Sequence, residues 1–308
     1  MVNTSKLLNS KPVSTASFRD LYPFRSNFMD LRGMPYHYLD EGQGDPVVMV
    51  HGNPTWSFYY RNLVSSLKEN YRTIVPDHFG CGLSAKPDEN QYGFTLKDRV
   101  QDLTQFLDQL NIQKKITLIL HDWGGMIGLA CALENLKRIK QIILMNTAGF
   151  FPPQGRKIPF RLRVIRDLKP FANFCVLQLN LFARAALLMA PHNSLSRKVK
   201  CGLIAPYNSP LNRLATLKFV QDIPLIASDP SYALVTKVDK NLYRLTDIPF
   251  LFLWGKHDFV FSMPYFNEWQ KRFPKARFHL FNNAGHYVLE DVPDQIIFLI
   301  KNFLENKA

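Results

Sequence analysis

Cysteine is scarce and scattered in this chain. There are four, Cys81, Cys131, Cys175 and Cys201, and no two form a CxxC pair, which points away from a disulfide framework or a thiolate zinc site and fits a reducing cytoplasm. The eight histidines show no HExxH spacing, and no Walker or GxGxxG pattern follows an apolar run. No metal or nucleotide site emerges, and no cofactor is expected. The first residues lack the apolar run closed by small side chains that marks a secretory leader, so residues 1–23 read as a polar arm. No membrane-length apolar run occurs either. The most apolar stretch, 171–191, is interrupted by Asn173, Gln178, Asn180 and Arg184, whereas a span needs about 20 predominantly apolar residues; an amphipathic helix is expected there. Acid is nearly missing from 151–220, where Asp167 alone stands against twelve Lys or Arg, almost the whole of the net +13. Such a block can meet nucleic acid, an anionic membrane surface or an acidic protein, or it is a solvated basic face.

Apolar material is plentiful, at 46% hydrophobic and 13% aromatic in 308 residues, and one large core with one inserted piece is expected at this length. From Pro46 onward strand and helix alternate, the mark of a parallel sheet covered on both faces. PVVMVH (46–51), YRTIVPD (71–77), KITLILH (115–121), IKQIILMN (139–146), IPFLFLWG (248–255) and ARFHLFN (276–282) read as strands. Helical spacing marks 56–70, 96–110 and the stretch from Met126, then FNEWQKRF and DQIIFLIKNFLENK near the end. Between the fourth and fifth of these strands lies a long, basic, helical segment broken by Pro170, Pro191, Pro206 and Pro210. The expected organisation is therefore an α/β core over 24–150 and 241–308, carrying a helical cap over 151–240.

Ligands of open parallel sheets bind beyond the carboxyl ends of the strands, and four places there carry chemistry. In LILHDWGGMIG (118–128) a strand turns abruptly into a helix around Asp122, as in a nucleophile elbow, with Gly124 and Gly125 allowing close packing. Leu120 is bulkier than the glycine common two residues before a serine nucleophile. A carboxylate at this point attacks sp³ carbon and forms an ester that water can reopen; alone, Asp122 would also suit a helix cap. In AGHYVLED (284–291), His286 is a candidate general base. In FLWGKHDFVF (252–261), Asp258 is placed to orient it, ahead of His257. The order nucleophile, acid, base is that of the serine-type elbow enzymes. In VHGNPTWSFYYR (50–61), the backbone N–H groups of Asn53 and Trp123 would face an anion beside Asp122, and their side-chain donors would cradle a departing one.

In these motifs the sequence resembles the haloalkane dehalogenase superfamily of α/β-hydrolase-fold enzymes, whose HGNPTWS, HDWGG and late GH motifs accompany an aspartate nucleophile. The resemblance covers nearly the whole chain after about residue 24 and implies Asn53 and Trp123 as a halide-stabilising pair. One branch places the acid as Glu where this chain has Asn146, so the chain is similar to the third subfamily. Within it, VPDHFGCGLSAKP (75–87), HDWGGMIG, MNTAGF (145–150), GHYVLED and the cap run IAPYNSPLNRLATLKFVQDIPL (204–225) resemble the β-lactone decarboxylases of bacterial long-chain olefin biosynthesis. That likeness implies conversion of a cis-3,4-dialkyl β-lactone to a cis-alkene and CO2, with Asp122 opening the ring at its sp³ carbon or at its carbonyl. It also implies a small hydrophobic substrate, assembly with other enzymes of that pathway, and use of the basic cap as a dock for such a partner or for a membrane surface; nucleic acid is not among the partners implied. A haloalkane dehalogenase is the main alternative. An epoxide hydrolase would need cap tyrosines, for which Tyr207, Tyr232 and Tyr243 are candidates, and a catalytically silent binding protein is the reading from another class.

Overall fold

All six runs read as strands become strands, and for the central ones the reason is visible in burial. In the computed structural model, which describes residues 11–155 and 157–305, β3 (Asp45–Val50), β5 (Ile116–His121) and β7 (Phe250–Gly255) are buried along almost their whole length, as strands covered on both faces must be. They join β4 (Tyr71–Pro76), β6 (Ile139–Met145) and β8 (Arg277–Phe281) in parallel. Two further strands, β1 (Asn27–Leu31) and β2 (Met34–Glu41), were not read from the sequence; they add an antiparallel hairpin at one edge, giving the order β1-β2-β4-β3-β5-β6-β7-β8. The hairpin turns at Arg32 and Gly33, both at positive φ (55° and 74°), the geometry of a two-residue connection matched to strand twist.

Helices α1 (Arg61–Leu67), α2 (Leu96–Gln109) and α3 (Trp123–Glu134) follow successive strands. Thr95 starts α2 through a reciprocal capping box with Asp98. Between β6 and β7 lie α4 (Phe160–Asp167), α5 (Lys169–Ala172), α6 (Leu181–Met189), α7 (Arg197–Ile204), α8 (Leu214–Gln221) and α9 (Tyr232–Asn241). The chain ends in α10 (Met263–Arg272), α11 (Val288–Asp291) and α12 (Pro293–Leu304).

Two expectations are corrected. The stretch 171–191 is not one amphipathic helix: a π-helical segment, Asn173–Gln178, continues α5, and α6 leaves it at 75°. Asn180 sits at the break with φ 55°, a left-handed conformation that asparagine tolerates, and its amide donates to Tyr207 O at 3.0 Å, fixing the bend. The N-terminal arm is not merely polar. Residues 1–10 lie outside the described residues, but Phe18 and Tyr22 are fully buried. Phe18 meets Trp56 and Phe58 edge-on, and the Tyr22 hydroxyl bonds Ser57 Oγ at 2.7 Å. Three aromatics in FRDLYPF outweigh their polar neighbours.

A buried ion pair braces the carboxyl end of the sheet. Arg61 opens α1 and donates twice to Glu290 of α11, at 2.6 and 2.7 Å, with both side chains almost wholly covered. The pair ties the loop after β3 to the loop after β8. Removing one partner strands a charge in the interior, so Glu290→Gln is expected to lower the unfolding free energy by about 3–5 kcal/mol, read as a shift of the denaturant midpoint at unchanged slope.

Candidate active site

The turn between β5 and α3 forces Asp122 to φ 51°, ψ −128°, a conformation that a side-chain-bearing residue holds only when its surroundings impose it. Here they do. Asp122 N donates to Asn146 O at 3.3 Å, and Asp122 O accepts from Gly125 N at 2.9 Å and from the Thr147 hydroxyl. Helix and strand touch so closely that a Cβ at Gly124 would lie 2.0 Å from Val50 O. The bulk of Leu120 is accommodated by the helix: a Cβ at Gly128 would fall 2.4 Å from its Cδ2.

The Asp122 carboxylate makes no capping bond to α3, so the helix-cap role fails. Its Oδ1 accepts from Asn53 N at 2.7 Å, and its Oδ2 faces His286 Nε2 at 3.4 Å. His286 Nδ1 lies 2.7 Å from Asp258 Oδ2. Asp258 Oδ2 also accepts from Asn146 Nδ2 at 2.9 Å, while its Oδ1 takes Val260 N and Phe261 N at 2.6 and 3.0 Å. Asn146, read from the sequence only as a position without an acid, therefore holds the acid that is present. Its positive φ of 35° at the end of β6 and its exchange with Gly255 N and O fix that amide. His121, also unforeseen, donates from Nε2 to His286 O at 2.8 Å and locks the His286 backbone. His257 takes no part; it contacts Asn282 O at 2.7 Å and stacks on His192.

Charge in this cluster is strongly coupled. Burial disfavours a cationic His286, yet the Asp258 and Asp122 carboxylates outweigh it and lift the ring to about 10. Burial likewise raises Asp122, but hydrogen bonding and attraction from His286, with the Trp123 N–H, bring the net shift below the ordinary carboxylate value. Burial and the neighbouring His286 drop His121 to about 3. The neighbouring carboxylates thus favour the imidazolium form of His286, and burial favours neutral His121.

The expected donors are only partly where the sequence placed them. The Asn53 N–H is already given to Asp122, because the carboxylate oxygen occupies the place foreseen for an external anion. The Asn53 side chain donates one N–H to Thr216 O at 3.0 Å, leaving its second. Trp123 packs on Phe219 at 5.4 Å and lines the cavity with Asn53. Asn53→Ala is expected to reduce turnover by about 10²-fold, with KM changing far less, as steady-state kinetics on the substrate proposed below would show.

Above these groups opens a cavity of about 500 Å³, walled mainly by apolar side chains of the β6–β7 insertion such as Phe150, Ile165, Val176, Phe182 and Ile223. Its polar end is Asp122, Trp123, Asn53 and His286. None of the three cap tyrosines lines it: Tyr207 is buried with its hydroxyl on Thr55 O, Tyr232 packs on Phe151, and Tyr243 is exposed. The epoxide-opening reading loses the three cap tyrosines it called for as proton donors.

Residues 45–293 match the alpha/beta hydrolase fold family. The chain is 45% identical over 285 residues to the cis-3-alkyl-4-alkyloxetan-2-one decarboxylase of Shewanella oneidensis, covering 92% of this chain and 89% of that protein. It is 37% identical to the enzyme of the same name from Xanthomonas campestris (92% and 97% covered) and 30% identical to haloalkane dehalogenase 2 of Mycobacterium tuberculosis (90% and 93% covered). Among solved structures, the haloalkane dehalogenase DatA of Agrobacterium tumefaciens superposes with a TM-score of 0.82 at 23% identity, covering 92% of this chain and 97% of that one, a likeness of fold.

Proposed function

The chain belongs to the α/β-hydrolase fold family, and from that premise we propose that it decarboxylates cis-3,4-dialkyl β-lactones to cis-alkenes, with Asp122 as nucleophile, His286 as its charged partner and Asp258 as the acid that orients His286. The observation that carries this reading is a carboxylate, held by Asn53 N–H and facing His286, at the polar end of an apolar cavity of about 500 Å³. The decarboxylase relatives are more similar to the chain than haloalkane dehalogenase 2 is.

The reaction balances without water. Asp122 Oδ2 attacks the ring carbon that bears the ring oxygen, the C–O bond breaks with inversion, and a β-carboxylate is released from the ring while its carbon is esterified to Asp122. The bond from that carboxylate to its α-carbon then breaks, its electron pair forms the alkene, and Asp122 departs from the neighbouring carbon as carboxylate, freeing CO2. Inversion followed by anti elimination keeps two cis alkyl groups cis. The carboxylate born in the first step is an anion beside Asp122, where the free N–H of Asn53 and the Trp123 indole can receive it.

The dehalogenase alternative differs in what it asks of His286. Hydrolysis of an alkyl ester needs a neutral imidazole to deprotonate water, and one of the two carboxylates that raise the His286 pKa loses its charge when Asp122 is esterified. Decarboxylation asks for no proton to leave His286 at any step. Purified enzyme given a long-chain cis-β-lactone and, separately, a bromoalkane is expected to yield alkene by gas chromatography and little bromide by ion chromatography. Bromide and alcohol without alkene would overturn the reading.

A further inference from the structure

Several of the large apolar side chains that stay exposed border the cavity. Phe160, Phe171, Leu181 and Phe259 are exposed and at the same time line the cavity, so they stand at its mouth. Leu168, Phe174 and Leu188 are exposed beside them in sequence but do not line it. Leu168, Phe171 and Phe174 recur every three residues through α5 and the π-helical segment, and Leu181 and Leu188 lie seven apart on α6. That spacing sets each group on one helix face, while Ala172, Val176 and Ala183 go to the interior. Exposed cations are interleaved with these ridges: Lys157, Arg161, Arg163, Lys169 and Arg184. Asp167, the single acid of the basic block, is already paired with Arg166 and Arg163. Lys169–Gln178 and Leu181–Met189 together have the length and apolar composition of a membrane span, yet they meet at 75°.

We propose that this face of the insertion docks on an anionic lipid bilayer. Apolar ridges flanked by Lys and Arg on short helices are suited to the boundary between headgroups and acyl chains, where the ridges bury and the cations meet lipid phosphates. A bent pair of span-like composition lies along such a boundary rather than through it. Because Phe171 and Leu181 of the ridges, with Phe160 and Phe259, line the cavity, docking opens the cavity onto the hydrocarbon. A dialkyl substrate would then pass between bilayer and site without crossing water; that last clause rests on the proposed function, and the docking itself does not.

Flotation of the full chain with phosphatidylcholine vesicles, with and without phosphatidylglycerol, tests it. Binding is expected only where the anionic lipid is present, and to weaken about tenfold or more on raising salt. The double change Phe174→Asp with Leu188→Asp, and separately Lys169→Glu with Arg184→Glu, should each lower partitioning about tenfold or more. None of these four side chains lines the cavity, so circular dichroism and turnover of a detergent-dispersed β-lactone should be unchanged. Flotation lost in both double variants while fold and turnover persist establishes the docking face. Absence of flotation, flotation indifferent to all four substitutions, or capture of a soluble protein by this face without vesicle binding overturns the proposal. Vesicle binding of this pattern by an enzyme that makes no alkene supports the docking and overturns the function instead.

Discussion

Asp122→Asn is expected to cut alkene formation by about 10⁴-fold or more while the protein remains folded. The amide is nearly the same size, and its oxygen can still accept from Asn53 N–H as Asp122 Oδ1 does at 2.7 Å. What it cannot do is attack carbon, and its NH2 would face His286 Nε2 where a carboxylate oxygen now sits at 3.4 Å, two donors where donor met acceptor. One of the two carboxylates that hold His286 cationic is thereby removed, and the ring's pKa falls from about 10. The measurement is single-turnover alkene yield beside a thermal melt. A folded variant that still makes alkene would show that the ring opens without a covalent ester. A folded variant that binds lactone with unchanged affinity but never turns it over would agree with Asp122 as nucleophile, since binding is carried by the apolar wall.

Much of this was legible because strand burial and chemistry coincide. The runs that became β3, β5, β6 and β7 are apolar since both their faces are covered, and the residues that follow β5, β7 and β8 are where Asp122, Asp258 and His286 stand. The hairpin β1-β2 escaped because an edge pair has no need of a continuous apolar run; its burial alternates irregularly, and its only local mark was the Arg32-Gly33 turn. Asn146 was visible as a residue but not as a function, because its role depends on Gly255 and Asp258, more than a hundred positions away. The expectation that the Asn53 and Trp123 peptide groups await an external anion failed for an electrostatic reason. A carboxylate at this turn, unlike a serine, brings its own oxygen to those donors. The bend at Asn180 was hidden because composition reports apolarity but not the left-handed backbone that an asparagine takes when a carbonyl such as Tyr207 O is in reach.

His286→Ala should lower alkene formation by about 10³-fold or more and, with lactone, leave no ester accumulated on Asp122. The variant loses the cation that holds Asp122 ionised and leaves Asp258 with only Asn146 and two backbone N–H groups, so attack is slowed. Once formed, however, the ester collapses through its own β-carboxylate and waits for no activated water. A hydrolase with the same residues would behave oppositely, because its ester survives when the base is gone; intact mass after mixing tells the two apart, and a stoichiometric lactone adduct on His286→Ala would sink the water-free route. The pH profile of the unaltered enzyme carries the same distinction. His286 is raised from 6.5 to about 10, so the imidazolium and the stability it contributes are fully present below 6.5 and are lost as pH rises through about 10. Alkene formation should accordingly stay level through neutral pH and fall on the alkaline side as the ring deprotonates. A rate that instead climbs as the proton leaves would mean that His286 works as a base, and the ester on Asp122 would then be an intermediate of hydrolysis.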